Sequence, residues 1–268
     1  MNEIATDLSP AALIAAIEAN LWEAARIWAR LLDSEIIETK EHTCFISGMP
    51  FSMFNGVIRA RFSSETANDG MAALFNKFEQ RSVPFSWLIS PSTQPADVEQ
   101  HLVNRGFKLD EEEIGMAIDL SLLPSDLALP PGLRIVEVDN KTILEGWIRV
   151  MAVGSGFPRS VVDLLNNIQA RHRLARRSVV RFYLGLLNNE PVATSLLLFA
   201  GGVAGLYCVA TLPEARRRGI GHAMTTYPLM IAHSESYRIG TLQASQMGFN
   251  IYRRLGFQEY CRFHVYFS

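Results

Sequence analysis

The hexapeptide Arg216-Arg217-Arg218-Gly219-Ile220-Gly221 constrains this chain more than any other segment, because of what lies on its two sides. An apolar run typical of a β-strand, Val203 to Thr211, precedes it, and a run with helical spacing, His222 to His233, follows it. A strand that enters a glycine-rich turn and opens a helix directs free main-chain N–H groups and the positive end of the helix dipole to one point. The hexapeptide therefore predicts a site that binds phosphate groups.

Two common nucleotide-binding patterns do not fit this turn. A P-loop needs a lysine after its last glycine, and the chain has no lysine after Gly201. The dinucleotide fingerprint needs three glycines at fixed spacing, which the hexapeptide lacks. The pattern that does fit is Arg-x-x-Gly-x-Gly. Taken alone, this pattern is more typical of an ordinary strand–turn–helix with a basic surface turn.

The hexapeptide and two neighbouring segments resemble the GNAT superfamily of N-acetyltransferases. In that family a Gln or Arg begins the pyrophosphate-binding loop. The segment Val209-Ala210-Thr211-Leu212-Pro213-Glu214 resembles the family's strand end and Pro-Glu turn. The segment Ile251 to Phe257 resembles its aromatic-Tyr-basic-basic-Leu-Gly-Phe motif. Two motifs in the right order make the resemblance much more specific than either motif alone.

The resemblance implies an α+β fold with a GNAT-type mixed central sheet flanked by helices, and it implies acetyl-coenzyme A as the cofactor. The main chain from Arg217 to His222 is then expected to cradle the pyrophosphate, with Arg216, Arg217 and Arg218 adding charge, and an N–H near Val209 or Ala210 to polarise the acetyl carbonyl. The predicted cofactor-binding residues are Val209, Ala210, Thr211, Arg216, Arg217, Arg218, Gly219, Ile220, Gly221, His222 and Ser245.

Tyr252 is the predicted catalytic residue, because the family commonly has a tyrosine at this place whose hydroxyl faces the coenzyme sulfur. A phenol with a pKa of about 10 can protonate a leaving thiolate and stay neutral beforehand. A ring that only packs on the sheet is the alternative for Tyr252. Ser245 stands where many relatives have an Asn that contacts the cofactor, and a helix N-cap is its plain alternative.

The general base is not identified by the sequence. No Asp or Glu lies between Glu190 and Glu214, where relatives often have one. Glu137, Glu145, His264 or a water molecule remain as candidates. The acceptor cleft is expected around Trp147, Phe157 and a helix beginning at Arg159, although core packing explains these aromatic residues equally well.

A segment rich in proline, Leu122 to Gly132, divides the chain, because it can neither continue a helix nor lie inside a sheet. We predict an N-terminal domain over residues 1–121, a linker over 122–132 and a GNAT domain over 133–268. The elements predicted after the linker follow the order β, α, α, β, β, β, α, β, α, β, which is the GNAT order.

The first half is interpreted as a degenerate copy of the same unit, with an unrelated α+β cap as the alternative. Setting Gly106-Phe107 on Gly256-Phe257 places Leu102 opposite Tyr252. The matching loop, Phe62 to Gly70, has no Arg-x-x-Gly-x-Gly and carries acidic residues that repel phosphate. The first half is therefore not expected to bind coenzyme A.

Composition adds limits on partners and location. The net charge of −2 gives no bulk attraction to nucleic acid. The three cysteines form no Cys-x-x-Cys pair, which argues against a zinc site and favours a reducing cytoplasm, and the start of the chain does not indicate a signal peptide. The uncharged run Pro191 to Pro213 is long enough for a membrane span, but Gly201-Gly202 favours a buried β-hairpin.

Two charged runs are interpreted as surface features. The basic run Arg171 to Arg177 is explained by a helix end at the negative terminus of the dipole, and Asp110 to Glu113 by a solvated turn.

The sequence therefore predicts a cytoplasmic enzyme that transfers an acetyl group from acetyl-coenzyme A directly to a primary amine of a small molecule or peptide. The alternative is a non-catalytic module that binds or senses acyl-coenzyme A. The acceptor, and whether the protein is a monomer or a homodimer, do not follow from the sequence.

Overall fold

The computed structural model describes residues 3–157, 161–162 and 179–268. In chain order the described helices are α1 (Pro10–Leu31), α2 (Ala67–Gln80), α3 (Val98–Asn104), α4 (Lys141–Gly154), α5 (Ile220–Ser234) and α6 (Gln246–Arg254). The described strands are β1 (Glu35–Glu38), β2 (Thr43–Ile46), β3 (Asn55–Ile58), β4 (Ser86–Ile89), β5 (Lys108–Asp119), β6 (Leu133–Glu137), β7 (Val180–Leu187), β8 (Glu190–Ala200), β9 (Val203–Thr211), β10 (Ile239–Ala244) and β11 (Gln258–Phe267).

The chain divides into two compact units that are not consecutive in sequence. The first unit contains Met1–Asn20, Met116–Gln243 and Gly248–Glu259, and the second contains Leu21–Gly115, Ala244–Met247 and Tyr260–Ser268. The first unit thus includes the beginning of the chain, and the second includes its last strand. The sequence-based division into residues 1–121 and 133–268 differs from these units at both ends of the chain and stays a prediction.

The first unit contains a mixed sheet with the strand order β10-β9-β8-β7-β6, and the end of β5 lies beside β10. β10 is parallel to β9, whereas the other pairs from β9 to β6 are antiparallel. Helices α4 and α5 cover opposite faces of this sheet. Leu184 of β7 lies against Gly146 of α4, and the next residue, Gly185, lies against Met224 of α5.

The second unit contains strands in the order β1-β2-β3-β4-β11, with the beginning of β5 next to β11. β3 and β4 are parallel, and β11 is antiparallel to β4. Its core is rich in aromatic residues. The Phe78 and Phe85 rings stack at 3.9 Å between centroids, and Trp87 is fully buried beside Phe75. The predicted α+β class, with mixed sheets flanked by helices, is confirmed.

One helix in each unit ends in the same way. In α6 the N–H groups of Leu255 and Phe257 both donate to the Tyr252 carbonyl, and Gly256 has a φ of +99°. In α3 the residues Arg105, Gly106 and Phe107 repeat this arrangement around the Leu102 carbonyl, with a φ of +87° at Gly106. Glycine is favoured at both places because a left-handed residue ends each helix.

The interpretation of Asp110 to Glu113 as a solvated turn is wrong, because these residues belong to β5. Strand geometry sends alternate side chains to opposite faces. Glu112 bonds Arg262 and His264 of β11, which compensates its charge. Glu113 lies on the other face with Glu111, where burial, followed by repulsion from Glu111, raises the pKa of Glu113 to about 7.

The uncharged run around Gly201-Gly202 forms the predicted β-hairpin, β8 and β9 joined at a two-residue turn. Among the described residues, no helix combines the length and apolar character that a membrane span requires. In the same part of the chain no cluster of three or more His, Cys, Asp or Glu side chains could hold a metal ion. The segment 122–132, predicted as a linker, contains no strand and no α-helix.

Candidate functional site

Strands β9 and β10 separate part of the way along β9. The paired residues of these strands are Gly240 with Ala204 and Thr241 with Gly205. In the described part of the chain no pair joins the strands beyond them, whereas β9 stays paired with β8 as far as Thr211. The side of β9 that faces away from β8 therefore has no neighbouring strand at its carboxyl end, and its main-chain groups are available to an extended ligand.

A β-bulge lies in this separated part of β9. On β8 the step from Thr194 to Leu196 spans two residues, but their partners, Ala210 and Tyr207, are three residues apart. The extra residue turns the main chain, and Cys208 has a φ of +51° in the left-handed region. The Thr194 hydroxyl donates to the Cys208 carbonyl at 2.8 Å and holds the bulge from the β8 side.

The glycine-rich turn opens α5, as the sequence predicts. Gly219 is the N-cap residue, with a φ of +75°. The Ala223 N–H donates to the Gly219 carbonyl at 3.1 Å, so the N–H groups of Ile220, Gly221 and His222 belong to the first turn, where a helix has no internal acceptors for them. These groups and the helix dipole form a positively polarised end.

The turn has room for a bulky anion. A Cβ atom added to Gly221 would have Thr211 Oγ1 as its nearest neighbour, at 4.0 Å, so the space above this residue is open. Arg217 has a φ of +60°, and Arg217, Arg218 and His222 are all exposed. Open space beside glycine, the N–H groups of the first helical turn and exposed basic side chains together fit a pyrophosphate group.

Arg216, predicted as a cofactor contact, has main-chain partners in the structure. Its Nε donates to the Thr211 carbonyl, and one of its terminal nitrogens donates to the Gly154 carbonyl, both at 3.0 Å. A Cβ on Gly154 would come within 3.0 Å of the Ala210 Cβ. Arg216 thus joins the last turn of α4 to the end of β9 and fixes the strand end next to the turn.

Tyr252 lies in α6, with its ring 5.9 Å from the Phe257 ring in an edge-to-face contact. Burial raises the pKa of the Tyr252 phenol to about 12. The hydroxyl therefore stays protonated throughout the neutral and mildly alkaline range, which a proton donor requires. Ser245 is the residue immediately before α6 and is counted in the second compact unit.

The three side-chain candidates for a general base lie in different elements, Glu137 in β6, Glu145 in α4 and His264 in β11. Glu145 forms an ion pair with Lys141 at 3.7 Å on the exposed side of α4, and His264 bonds Glu112 at 3.1 Å. Glu137 is paired in register with Tyr183, whose pKa is raised to about 12 mainly by burial and further by Glu137. These contacts do not single out a general base.

Trp147 is fully buried, and its indole N–H donates to the Ser195 carbonyl at 3.1 Å. It packs edge-to-face on Phe182 at 5.0 Å. Core packing, one of the two interpretations of the aromatic residues, therefore accounts for Trp147. Phe157 is half-buried. Most of the predicted helix from Arg159, and the basic run 171–177, lie outside the described residues.

The start of α2, which corresponds in the second unit to the start of α5, differs from it in backbone conformation, in charge and in open space. Thr66 precedes α2 with right-handed backbone angles, and its hydroxyl donates to the carboxylate of Glu41. A Cβ on Gly70 would come within 2.6 Å of the Phe62 ring. A carboxylate and an aromatic ring thus occupy the surroundings that are open and basic at Gly221.

Sequence patterns could not indicate the bulge residues. Thr194 and Cys208 lie in apolar runs that read as regular strands, and a positive φ at a cysteine leaves no compositional signal.

Comparison with known proteins agrees with this geometry. Residues 201–260 match the family model of the acetyltransferase (GNAT) domain. A GCN5-related N-acetyltransferase from Kribbella flavida superposes with a TM-score of 0.67 at 16% identity, covering 91% of this chain and 95% of that one. One from Sphaerobacter thermophilus gives 0.65 at 16% identity, covering 97% and 93%.

A tandem GNAT protein from the clavulanic acid biosynthesis pathway gives a TM-score of 0.62 at 12% identity, covering 85% of this chain and 78% of its own. Curated protein sequences contain no match to the chain. The GNAT acetyltransferase fold supports acyl transfer in general. The chain therefore has the fold of the GCN5-related N-acetyltransferases, and residues 201–260 match the model of the GNAT acetyltransferase domain.

Proposed function

We propose that the protein is an N-acetyltransferase that moves an acetyl group from acetyl-coenzyme A directly to a primary amine of a small molecule or peptide. The observation that carries the proposal is the sequence of features along one strand: β9 leaves β10 after Gly205, bulges at Cys208 and leads to an open glycine turn at the start of α5. One extended donor, with a thioester at one end and a pyrophosphate further along, could bind both the open side of β9 and the glycine turn.

The turn would hold the donor's pyrophosphate. The N–H groups of Ile220, Gly221 and His222 supply hydrogen bonds, and Arg217 and Arg218 add positive charge from exposed positions. Arg216 contributes by holding Thr211 in place, since its guanidinium already bonds two main-chain carbonyls. We therefore assign Arg216 a positioning role and keep Gly219 and Gly221 as the residues that let phosphate approach the main chain.

The main chain of β9 would hold the donor's extended arm and polarise its reactive carbonyl. Val209, Ala210 and Thr211 follow the bulge on the side that β10 leaves open. A main-chain N–H at Val209 or Ala210, fixed in direction by the strained residue before it, stabilises negative charge on a carbonyl oxygen without reorganising during the reaction. Bound acetyl-coenzyme A supplies the activated acetyl thioester.

Tyr252 would protonate the departing sulfur. Burial raises the pKa of Tyr252 to about 12, above the ordinary value of a phenol, so the proton is present throughout the neutral and mildly alkaline range. The same desolvation raises the basicity of a thiolate placed beside the hydroxyl, which keeps proton transfer favourable. The acceptor amine would lose its proton to solvent, since no carboxylate lies between Glu190 and Glu214.

A turnover assay tests the proposal. The full chain is incubated with acetyl-coenzyme A and a panel of primary amines, and free thiol is followed together with the mass of each amine. The proposal predicts thiol release that depends on at least one amine, with one acetyl group added to that amine. Tight binding of coenzyme A without release of thiol for any amine would instead favour a module that binds or senses acyl-coenzyme A.

A further inference from the structure

The middle of α1 is hydrogen-bonded to the β8–β9 hairpin of the same compact unit. Asn20 is fully buried, and its side-chain amide donates to the carbonyls of Ala200 at 2.9 Å and Leu198 at 3.3 Å. Its Oδ1 accepts from the Tyr207 hydroxyl at 2.6 Å. Both ends of the amide are therefore used to bind one hairpin.

The hairpin is shaped around the beginning of the chain. A Cβ on Gly205 would lie 1.9 Å from Asn20 Oδ1, and a Cβ on Gly202 would lie 2.6 Å from the Glu3 carbonyl oxygen. The Ala5 N–H also donates to the Gly202 carbonyl at 2.9 Å. These close approaches require glycine, so residues 3–20 and the hairpin form one packed structure.

We propose that Asn20 is a positioning residue for the acyl-transfer site, acting through the Tyr207 hydroxyl on the bulge of β9. Tyr207 immediately precedes Cys208, the residue with the left-handed backbone. A non-glycine residue keeps such a conformation only where its surroundings impose it. The Thr194 hydroxyl bonds the Cys208 carbonyl on one side of this conformation. On the other side, the hydrogen bond to Asn20 fixes Tyr207.

The consequence is that the N-terminal segment contributes to catalysis without contacting substrate. If the Tyr207 ring is free to move, Cys208 can relax toward ordinary strand angles, and the N–H groups of Val209 and Ala210 then turn away from the carbonyl that they polarise. Such a change weakens stabilisation of the transition state more than binding of the donor, because the pyrophosphate contacts of α5 are unaffected. This inference rests on the proposed function.

Tyr207→Phe tests the inference, since it removes one hydroxyl and keeps the ring. Amide hydrogen exchange of residues 206–211 should become about tenfold faster, with no change in the first turns of α5. In the same variant kcat should fall about tenfold while the Kd of coenzyme A stays within about twofold. Asn20→Ala should give the same pattern where it folds. Tyr237→Phe is the matched control, because the Tyr237 ring packs against Phe199 of the same unit with 4.5 Å between centroids, and it should change neither quantity.

Wild-type exchange in Tyr207→Phe would overturn the inference, and so would faster exchange with an unchanged kcat, because the hydroxyl would then be only structural. If the wild-type protein acetylates no amine, the proposed function fails. The exchange measurement still decides whether Asn20 controls the bulge, since it needs no turnover.

Discussion

At the scale of single residues, the hydroxyl of Tyr252 is the group on which the proposed chemistry depends most. Tyr252→Phe keeps the ring contact with Phe257 and removes the proton, so kcat should fall by about ten- to a thousandfold while the Kd of coenzyme A changes little. Steady-state kinetics and calorimetry measure the two effects. Wild-type turnover in a correctly folded variant would mean that the ring only packs on the sheet.

The matching substitution in the second unit serves as the control for Tyr252. Leu102, whose carbonyl ends α3 as that of Tyr252 ends α6, is fully buried in an apolar core. Leu102→Ala should lower the free energy of unfolding by about 2–5 kcal/mol and leave kcat unchanged at temperatures where the variant is folded. A selective loss of kcat would contradict the difference in roles.

Cys208 provides a second test at this scale, because it sits at the bulge but has a thiol that is unsuited to covalent chemistry. Burial raises the pKa of the Cys208 thiol to about 12, which leaves almost no thiolate at neutral pH. Cys208→Gly should keep turnover within about threefold, since glycine accepts the left-handed backbone, whereas Cys208→Val should lower it, since a β-branched residue does not. Inactivation by glycine would indicate an acyl-cysteine intermediate, which mass spectrometry would detect.

At the scale of elements, the turn before α5 is the feature that binds phosphate in this account. Gly221→Asp places a carboxylate in the open space beside the first-turn N–H groups. Charge repulsion and lost access should weaken binding of coenzyme A by about a hundredfold or more. Gly221→Ala is the matched control and should have a smaller effect. Equal affinity of the wild-type protein and the aspartate variant in calorimetry would remove the turn from the site.

The Glu113 carboxyl group on β5 leads us to predict how stability depends on pH. The pKa of Glu113 is raised to about 7, so the folded protein binds its proton more tightly than the unfolded chain does. The stability that Glu113 supports is fully present below its unfolded pKa of about 4.5 and is lost as pH rises toward 7. Glu113→Gln should remove this loss and raise Tm by a few degrees at pH 8 relative to wild type. The same slope of Tm against pH between 5 and 7 in Glu113→Gln and in the wild-type protein would contradict the raised pKa of Glu113.

Much of the element order was predictable, and the exceptions have physical causes. The apolar pattern gives β9 with the bounds that the structure shows, and the Gly-Gly pair gives the hairpin. The helix predicted from His222 begins at Ile220, because the left-handed Gly219 is its N-cap. The acidic run 110–113 reads as a turn by composition, but partners on β11 that are distant in sequence make it a strand.

At the scale of the whole molecule, the chain does not fold as two consecutive halves. Residues 3–20 pack on the β8–β9 hairpin of the first unit, and the last strand pairs with β4 of the second unit. Contacts between residues so far apart in sequence leave no periodic signal, and the division at residues 122–132 stays a prediction. The end of α3, which repeats that of α6, remains consistent with a degenerate repeat.

A crystal structure of the full chain with acetyl-coenzyme A tests the central claim most directly. The account predicts that the pyrophosphate contacts the main chain from Arg217 to His222, and that the thioester carbonyl accepts from an N–H at Val209 or Ala210 with the Tyr252 hydroxyl at the sulfur. It also predicts no phosphate near residues 65–70, where Glu41 and the Phe62 ring fill the corresponding space. Coenzyme phosphates bound in the second unit, or a thioester remote from the β9 bulge, would contradict it.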